Sequence, residues 1–92
     1  MEEVLKLKFA DRMREYFGGM TQEELLSIIN EALSFDIKKE DIVQRYIAAY
    51  IHFREVFMNK PYWLRYVLKG DAFREEDKLD FIEKKLTAEY GK

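Results

Sequence analysis

Residues 41–58 carry the strongest structural signal in this chain and read DIVQRYIAAYIHFREVFM. At about 100° per residue, the apolar side chains of this segment fill an arc of roughly 220° on a helical wheel, and only Arg54 interrupts that arc. A surface helix usually needs an apolar stripe of about 100° or slightly more. The segment therefore predicts a helix, the third in the chain, that is either the central element of the fold or the seat of a partner interface.

Boundary signals predict two helices before this segment. Residues 2–17 form the first helix, which stops at Gly18-Gly19. Thr21 opens the second helix, and Thr21 with Glu24 has the spacing of a capping box, in which each side chain bonds a backbone N–H of the other's turn. The apolar stripe of the second helix ends near Leu33 or Ser34.

Two more helices are predicted after it. The third helix runs to about Met58, because Pro61 disfavours helical geometry in the residue before it. Phe53 lies near the middle of the apolar arc and is predicted to be the most deeply buried aromatic residue of this helix. Pro61 then begins a short fourth helix, which Gly70 closes. The fifth helix covers residues 75–90.

The sequence predicts an all-α fold, because no segment shows the strict two-residue alternation of a strand. We expect a single helical domain over residues 1–92. Its architecture is a compact irregular or orthogonal bundle of four main helices plus one short helix, packed around the central third helix. Helices of such different lengths make a regular four-helix bundle the less suitable arrangement.

Composition disfavours several classes of protein. The net charge is −2 with 37% charged residues of both signs, which is a well-solvated surface rather than the basic footprint of a nucleic-acid-binding protein. No apolar run approaches the ~20 residues needed to span a bilayer, and the Met-Glu-Glu start has no basic region typical of a signal peptide. The chain has no cysteine. We therefore expect a cytoplasmic protein without a membrane partner.

No residue pattern indicates catalysis or metal binding. His52 is the only histidine, so a two-histidine metal site is impossible, and no acid–serine pair accompanies it. The acidic residues 75–77 and Asp80 open the predicted fifth helix, where negative charge suits the helix dipole. We expect no enzymatic activity, no cofactor and no bound metal.

The predicted fourth helix is unusually rich in large side chains. On so short a helix Tyr62, Trp63 and Tyr66 cannot all face inward together with three aliphatic residues, so an aromatic side chain must reach the surface. Tyr and Trp are enriched at protein interfaces. The candidate protein-interaction residues are Tyr50, Tyr62, Trp63 and Tyr66, although packing of a small aromatic core would explain the same residues.

Three basic residues lie among these rings: Lys60, Arg65 and Lys69. Basic and aromatic side chains together can bind single-stranded nucleic acid by charge and base stacking. Three charges supply only a weak electrostatic attraction, so a nucleic-acid-binding patch at residues 60–69 is the alternative reading.

The resulting hypothesis is a small intracellular helical interaction module that acts by binding rather than catalysis. It would be an adaptor, an inhibitor, an immunity-type protein or a self-associating subunit, with a protein partner or a second copy in a homodimer. In size, acidity and helical content it is similar to the small bacterial immunity proteins, which neutralise a toxin by binding it; this similarity is one of class and transfers no residues. The alternatives are the nucleic-acid-binding module and a small-ligand-binding helical domain.

Overall fold

The computed structural model describes residues 2–91 and confirms the all-α fold. Within that range no residue is in a strand. Six helices follow one another: α1 Glu3–Tyr16, α2 Gln22–Ser34, α3 Glu40–His52, α4 Arg54–Asn59, α5 Tyr62–Lys69 and α6 Glu75–Tyr90. None of these helices is both long enough and apolar enough to cross a lipid bilayer.

The predicted start of α2 is confirmed in atomic detail. Helix α1 ends at Tyr16, and in the turn that follows Gly19 adopts a φ of +91°, a left-handed conformation that glycine reaches without steric cost. Thr21 then caps α2: its hydroxyl accepts a hydrogen bond from the Glu24 N–H at 3.1 Å, and the Glu24 carboxylate accepts one from the Thr21 N–H at 3.1 Å. This reciprocal pair is the predicted capping box, and the helix that it begins packs against α1.

Helix α3 is the centre of the bundle, as its wide apolar arc predicts. It packs against α2, α4 and α6. It buries more residues than any other helix described between residues 2 and 91, namely Ile42, Val43, Tyr46, Ile47 and Ala49. The opposite side of α3 is polar, and there Arg45 donates hydrogen bonds to Glu83 at 2.8 and 3.0 Å and to Asp80 at 2.7 Å. The hydrogen bonds to Glu83, and to a smaller extent the one to Asp80, raise the pKa of the Arg45 guanidinium above its ordinary value. The same bonds connect α3 to α6.

The prediction of one continuous third helix to Met58 is wrong. The helix breaks at Phe53, whose φ of −124° and ψ of 52° are not helical, and α4 begins at Arg54. In a continuous helix Arg54 would lie inside the apolar arc, between Val43 and Ile47, and burying its charge without a partner would be costly. The break leaves Arg54 exposed and turns Phe57 fully into the core.

Phe53 is therefore not the most deeply buried aromatic residue. It is only partly buried, whereas Tyr46 and Phe57 are completely inaccessible to solvent. The rings of Tyr46 and Phe57 meet edge to face with centroids 5.4 Å apart, a favourable geometry for aromatic pairs. The core that joins α3 to α4 is centred on these two rings.

Two long-range polar contacts position α5 and α6. The buried Lys78 ammonium of α6 donates to the Leu68 carbonyl of α5 and to the Phe35 carbonyl at the end of α2, both at 2.8 Å. The Glu75 carboxylate accepts hydrogen bonds from the backbone N–H groups of Lys38 and Lys39 just before α3, at 2.8 and 2.7 Å. Helix α5 is consequently fixed on one side by α6 and has its other side free.

Candidate protein-interaction surface

Helix α5 has two chemically different faces. Leu64, Val67 and Leu68 are buried against the core. At about 100° per residue, the other side of the same helix carries four residues within one arc: Tyr62, Arg65, Tyr66 and Lys69, all exposed. We call these four residues the α5 outer face.

The two tyrosines of the α5 outer face are among the most exposed large side chains of the molecule. Tyr62 is 74% exposed and Tyr66 is 62% exposed. They lie one helical turn apart, with ring centroids separated by 6.2 Å and planes inclined by 30°. Neither side chain contributes to the buried core, so burial in the fold does not account for this aromatic pair.

Arg65 and Lys69 form a second row beside the tyrosines, with the same four-residue spacing. Together with Gly70, the four side chains line an open groove of about 370 Å³. No ion pair involves either cation within residues 2–91. The arrangement offers aromatic surface and unpaired positive charge side by side, on a helix that contains no acidic residue.

Trp63 lies on the flank of α5, in the seam with α6. Its ring packs against Phe81 with centroids 6.4 Å apart, and the Lys85 ammonium lies 5.6 Å from the ring centroid. Its indole Nε1 is buried and has no hydrogen-bond partner within residues 2–91. Phe81, which lies off the apolar stripe of its helix, remains 44% exposed and extends aromatic surface from the seam to solvent.

The structure places Tyr50 in a different environment from the other three candidate rings. Tyr50 is partly buried and packs against Tyr46 and Phe57, with centroid separations of 6.5 and 5.4 Å. These contacts belong to the core between α3 and α4. The structure therefore brings Tyr62 and Tyr66 together, puts Trp63 beside them in the seam, and gives Tyr50 a packing role.

Lys60 is likewise separated from the other two predicted basic residues. Its ammonium donates to the Glu31 carboxylate at 3.0 Å and to the Phe57 carbonyl at 2.8 Å. Glu31 also accepts a hydrogen bond from the Tyr46 hydroxyl. Lys60 thus joins a network that ties α4 to α2 and α3, while Arg65 and Lys69 remain free in the α5 outer face.

Sequence reasoning did not single out Gly70 as part of this site. Gly70 lines the groove at the end of α5, where a side chain would collide with Phe73, since an added Cβ would lie 2.6 Å from the Phe73 ring. Nothing in the local sequence indicates that contact, because it depends on how the turn after α5 folds back.

The residues outside the α5 outer face that could bind a metal ion do not form a site. His52 is exposed, and residues 2–91 hold no group of three or more His, Asp or Glu side chains placed to share a metal ion.

The chain matches no protein-family model, and no curated protein or solved structure matches it significantly.

Proposed function

We propose that this protein is a small helical interaction module that binds a protein partner through the α5 outer face and acts by binding rather than by catalysis. The observation that carries this proposal is the pair Tyr62 and Tyr66, held one turn apart and largely exposed beside two unpaired cations. Tyrosine and arginine, together with tryptophan, are enriched among the few residues that supply most of the binding energy at interfaces. Such a module would be an adaptor, an inhibitor, an immunity-type protein or a self-associating subunit.

The anchoring of α5 to the rest of the fold supports this proposal. An interface residue loses less conformational entropy on binding when its backbone and neighbours are already ordered. The inner face of α5 is fully buried, and Lys78 bonds the Leu68 carbonyl in its last turn. The tyrosine pair is therefore presented on a preorganised element rather than on a loop.

A nucleic-acid-binding module is the second candidate, favoured by one observation. Arg65 and Lys69 lie alongside two exposed rings on which bases could stack. Two free cations neutralise few phosphates, and the chain as a whole is acidic, with a net charge of −2. The electrostatic attraction to nucleic acid is consequently small, and we rank this function below protein binding.

Quantitative co-purification with three tagged forms of the chain tests the proposal. These are the parent, the site variant Tyr62→Ser/Tyr66→Ser, and the matched control Tyr16→Ser/Met58→Ser. The control removes two residues that are each 67% exposed but lie on α1 and α4. We expect a protein, or a second copy of the chain carrying a different tag, to be retained by the parent and the control and lost by the site variant.

Equal retention of every protein by all three forms would contradict a binding role for the α5 outer face. Retention of nucleic acid instead of protein, sensitive to nuclease and lost in the site variant, would favour the second candidate.

A further inference from the structure

We propose that the α5 outer face binds an acidic amphipathic helix, that is, a partner segment with an apolar row flanked by a row of carboxylates. This inference rests on the proposed function and specifies the chemistry of the partner. The observations behind it are the arrangement of the four side chains in two parallel rows and the local excess of positive charge.

The two rows have the geometry of a helix-binding surface. Tyr62 and Tyr66 are four residues apart along one line of α5, and Arg65 and Lys69 are four residues apart along the next. Helices pack by fitting rows of side chains four residues apart into matching grooves. A partner helix with apolar residues four apart, and Asp or Glu four apart beside them, matches the aromatic row and the basic row at the same time.

The charge of this region selects an acidic partner. Residues 61–70 contain two basic and no acidic side chains, Arg65 and Lys69 being the two cations, although the whole chain carries 16 Lys and Arg against 18 Asp and Glu. Asp71 is the next acid in the sequence and forms no ion pair with Lys69 among the described residues. Because the Arg65 and Lys69 charges are uncompensated, a partner carboxylate meets them without displacing an existing ion pair.

A second copy of the chain fits this surface less well than a separate acidic helix. Helix α6 carries more acidic side chains than any other helix described between residues 2 and 91, and all of them except Asp77 already take part in hydrogen bonds or ion pairs within the molecule. Asp80 and Glu83 bind Arg45, and Glu76 binds Lys39 at 2.7 Å. Glu75 holds the start of α3. These acids would have to leave their partners to meet Arg65 and Lys69 of another copy.

Fluorescence anisotropy with designed helical peptides tests the inference on the full chain. The probe is a labelled peptide with leucines four residues apart flanked by a row of glutamates. Matched probes replace the glutamates by glutamine or by lysine, and a single-stranded thymidine oligonucleotide serves as the nucleic-acid probe. Circular dichroism checks that each variant remains helical.

We expect the glutamate peptide to bind the parent chain at least about tenfold more tightly than the glutamine peptide, and more weakly as salt rises. The variant Arg65→Glu/Lys69→Glu should lose the preference for the glutamate peptide and should bind the lysine peptide more tightly. Tyr62→Ser/Tyr66→Ser should weaken binding of the glutamate peptide at least about tenfold, which is the effect expected from losing one dominant interface residue. Tyr16→Ser/Met58→Ser should bind as the parent does.

Four outcomes overturn the inference. Equal binding of the glutamate and glutamine peptides would show that the surface does not select an acidic partner. Absence of saturable binding by any peptide would show that it does not bind a helix. Tighter binding of the oligonucleotide than of the glutamate peptide assigns the surface to nucleic acid. Self-association of the chain, lost in the tyrosine variant and not displaced by the glutamate peptide, assigns it to a second copy. The proposed function is tested separately, by the co-purification, and it fails there if the tyrosine variant retains every partner.

Discussion

Lys78 shows how a single side chain can complete two helix ends. It is only 4% exposed, and it is the one charged residue that is buried within residues 2–91. The last carbonyl groups of a helix lack intrahelical partners and carry partial negative charge. Lys78 satisfies one such carbonyl in α5 and one at the end of α2. Its ammonium therefore replaces two terminal capping interactions and fixes the spacing of three helices.

We predict that Lys78→Met destabilises the protein by about 2–4 kcal/mol, because the buried carbonyl of Leu68 and the partly buried carbonyl of Phe35 lose their donor. The measurement is the free energy of unfolding in urea, and the control is Lys84→Met on the exposed side of the same helix. The control should change stability by less than about 0.5 kcal/mol. An unchanged or higher stability of Lys78→Met would show that a well-packed apolar side chain serves this position equally well.

Tyr46 is the second residue whose chemistry the fold alters. Burial, and then its hydrogen bond to Glu31, raise the pKa of the Tyr46 hydroxyl far above the ordinary value. The neutral form is consequently favoured in the folded protein. Its contribution to stability is complete below the pKa of the unfolded chain, about 10, and is lost as the pH rises above that value, because unfolding then releases a proton.

We predict that the free energy of unfolding falls between pH 9 and pH 11 and that Tyr46 causes about 1.4 kcal/mol of that fall. Tyr46→Phe should remove this component, so that its stability depends less steeply on pH than that of the parent. Tyr62→Phe is the control, since Tyr62 is exposed, and should follow the parent curve. Parallel curves for Tyr46→Phe and the parent would contradict the prediction.

At the scale of elements, the helix starts and stops were readable where the signal is local. Gly18-Gly19, the Thr21 cap, Pro61 and Gly70 each lie at or next to an observed boundary. The break at Phe53 could not be predicted from the sequence, because the apolar periodicity continues through it. The break depends instead on where Arg54 would lie relative to the assembled core. The start of α3 likewise depends on a distant residue, because the Lys39 N–H donates to the carboxylate of Glu75, 36 residues along the chain.

The break makes a prediction that reverses the order expected from periodicity. Phe57→Ala should cost about 3–5 kcal/mol, as for other fully buried aromatic residues, and Phe53→Ala should cost clearly less because Phe53 is only partly buried. Urea denaturation of the two variants gives both values. A larger loss for Phe53→Ala would restore the continuous third helix as the better description.

At the scale of the whole molecule, the residues that hold the fold and those that remain available are separate. The core rests on α3, with Tyr46 and Phe57 at its centre. The crowding of α5 was sufficient to predict that rings there would reach the surface, and Tyr62 and Tyr66 do. The separate environments of Tyr50, Trp63 and Lys60 could not be predicted, because each depends on contacts with residues distant in the sequence, such as Phe81 and Glu31.

We expect the fold not to need Tyr62 and Tyr66, so that both side chains are free to bind a partner. The free energy of unfolding of Tyr62→Ser/Tyr66→Ser tests it most directly, since serine and tyrosine have similar helix propensities. We predict a free energy of unfolding within about 0.5 kcal/mol of that of the parent, as for other exposed substitutions. A loss of more than about 2 kcal/mol would show that the two rings stabilise the fold, and would contradict the assignment of the α5 outer face to binding.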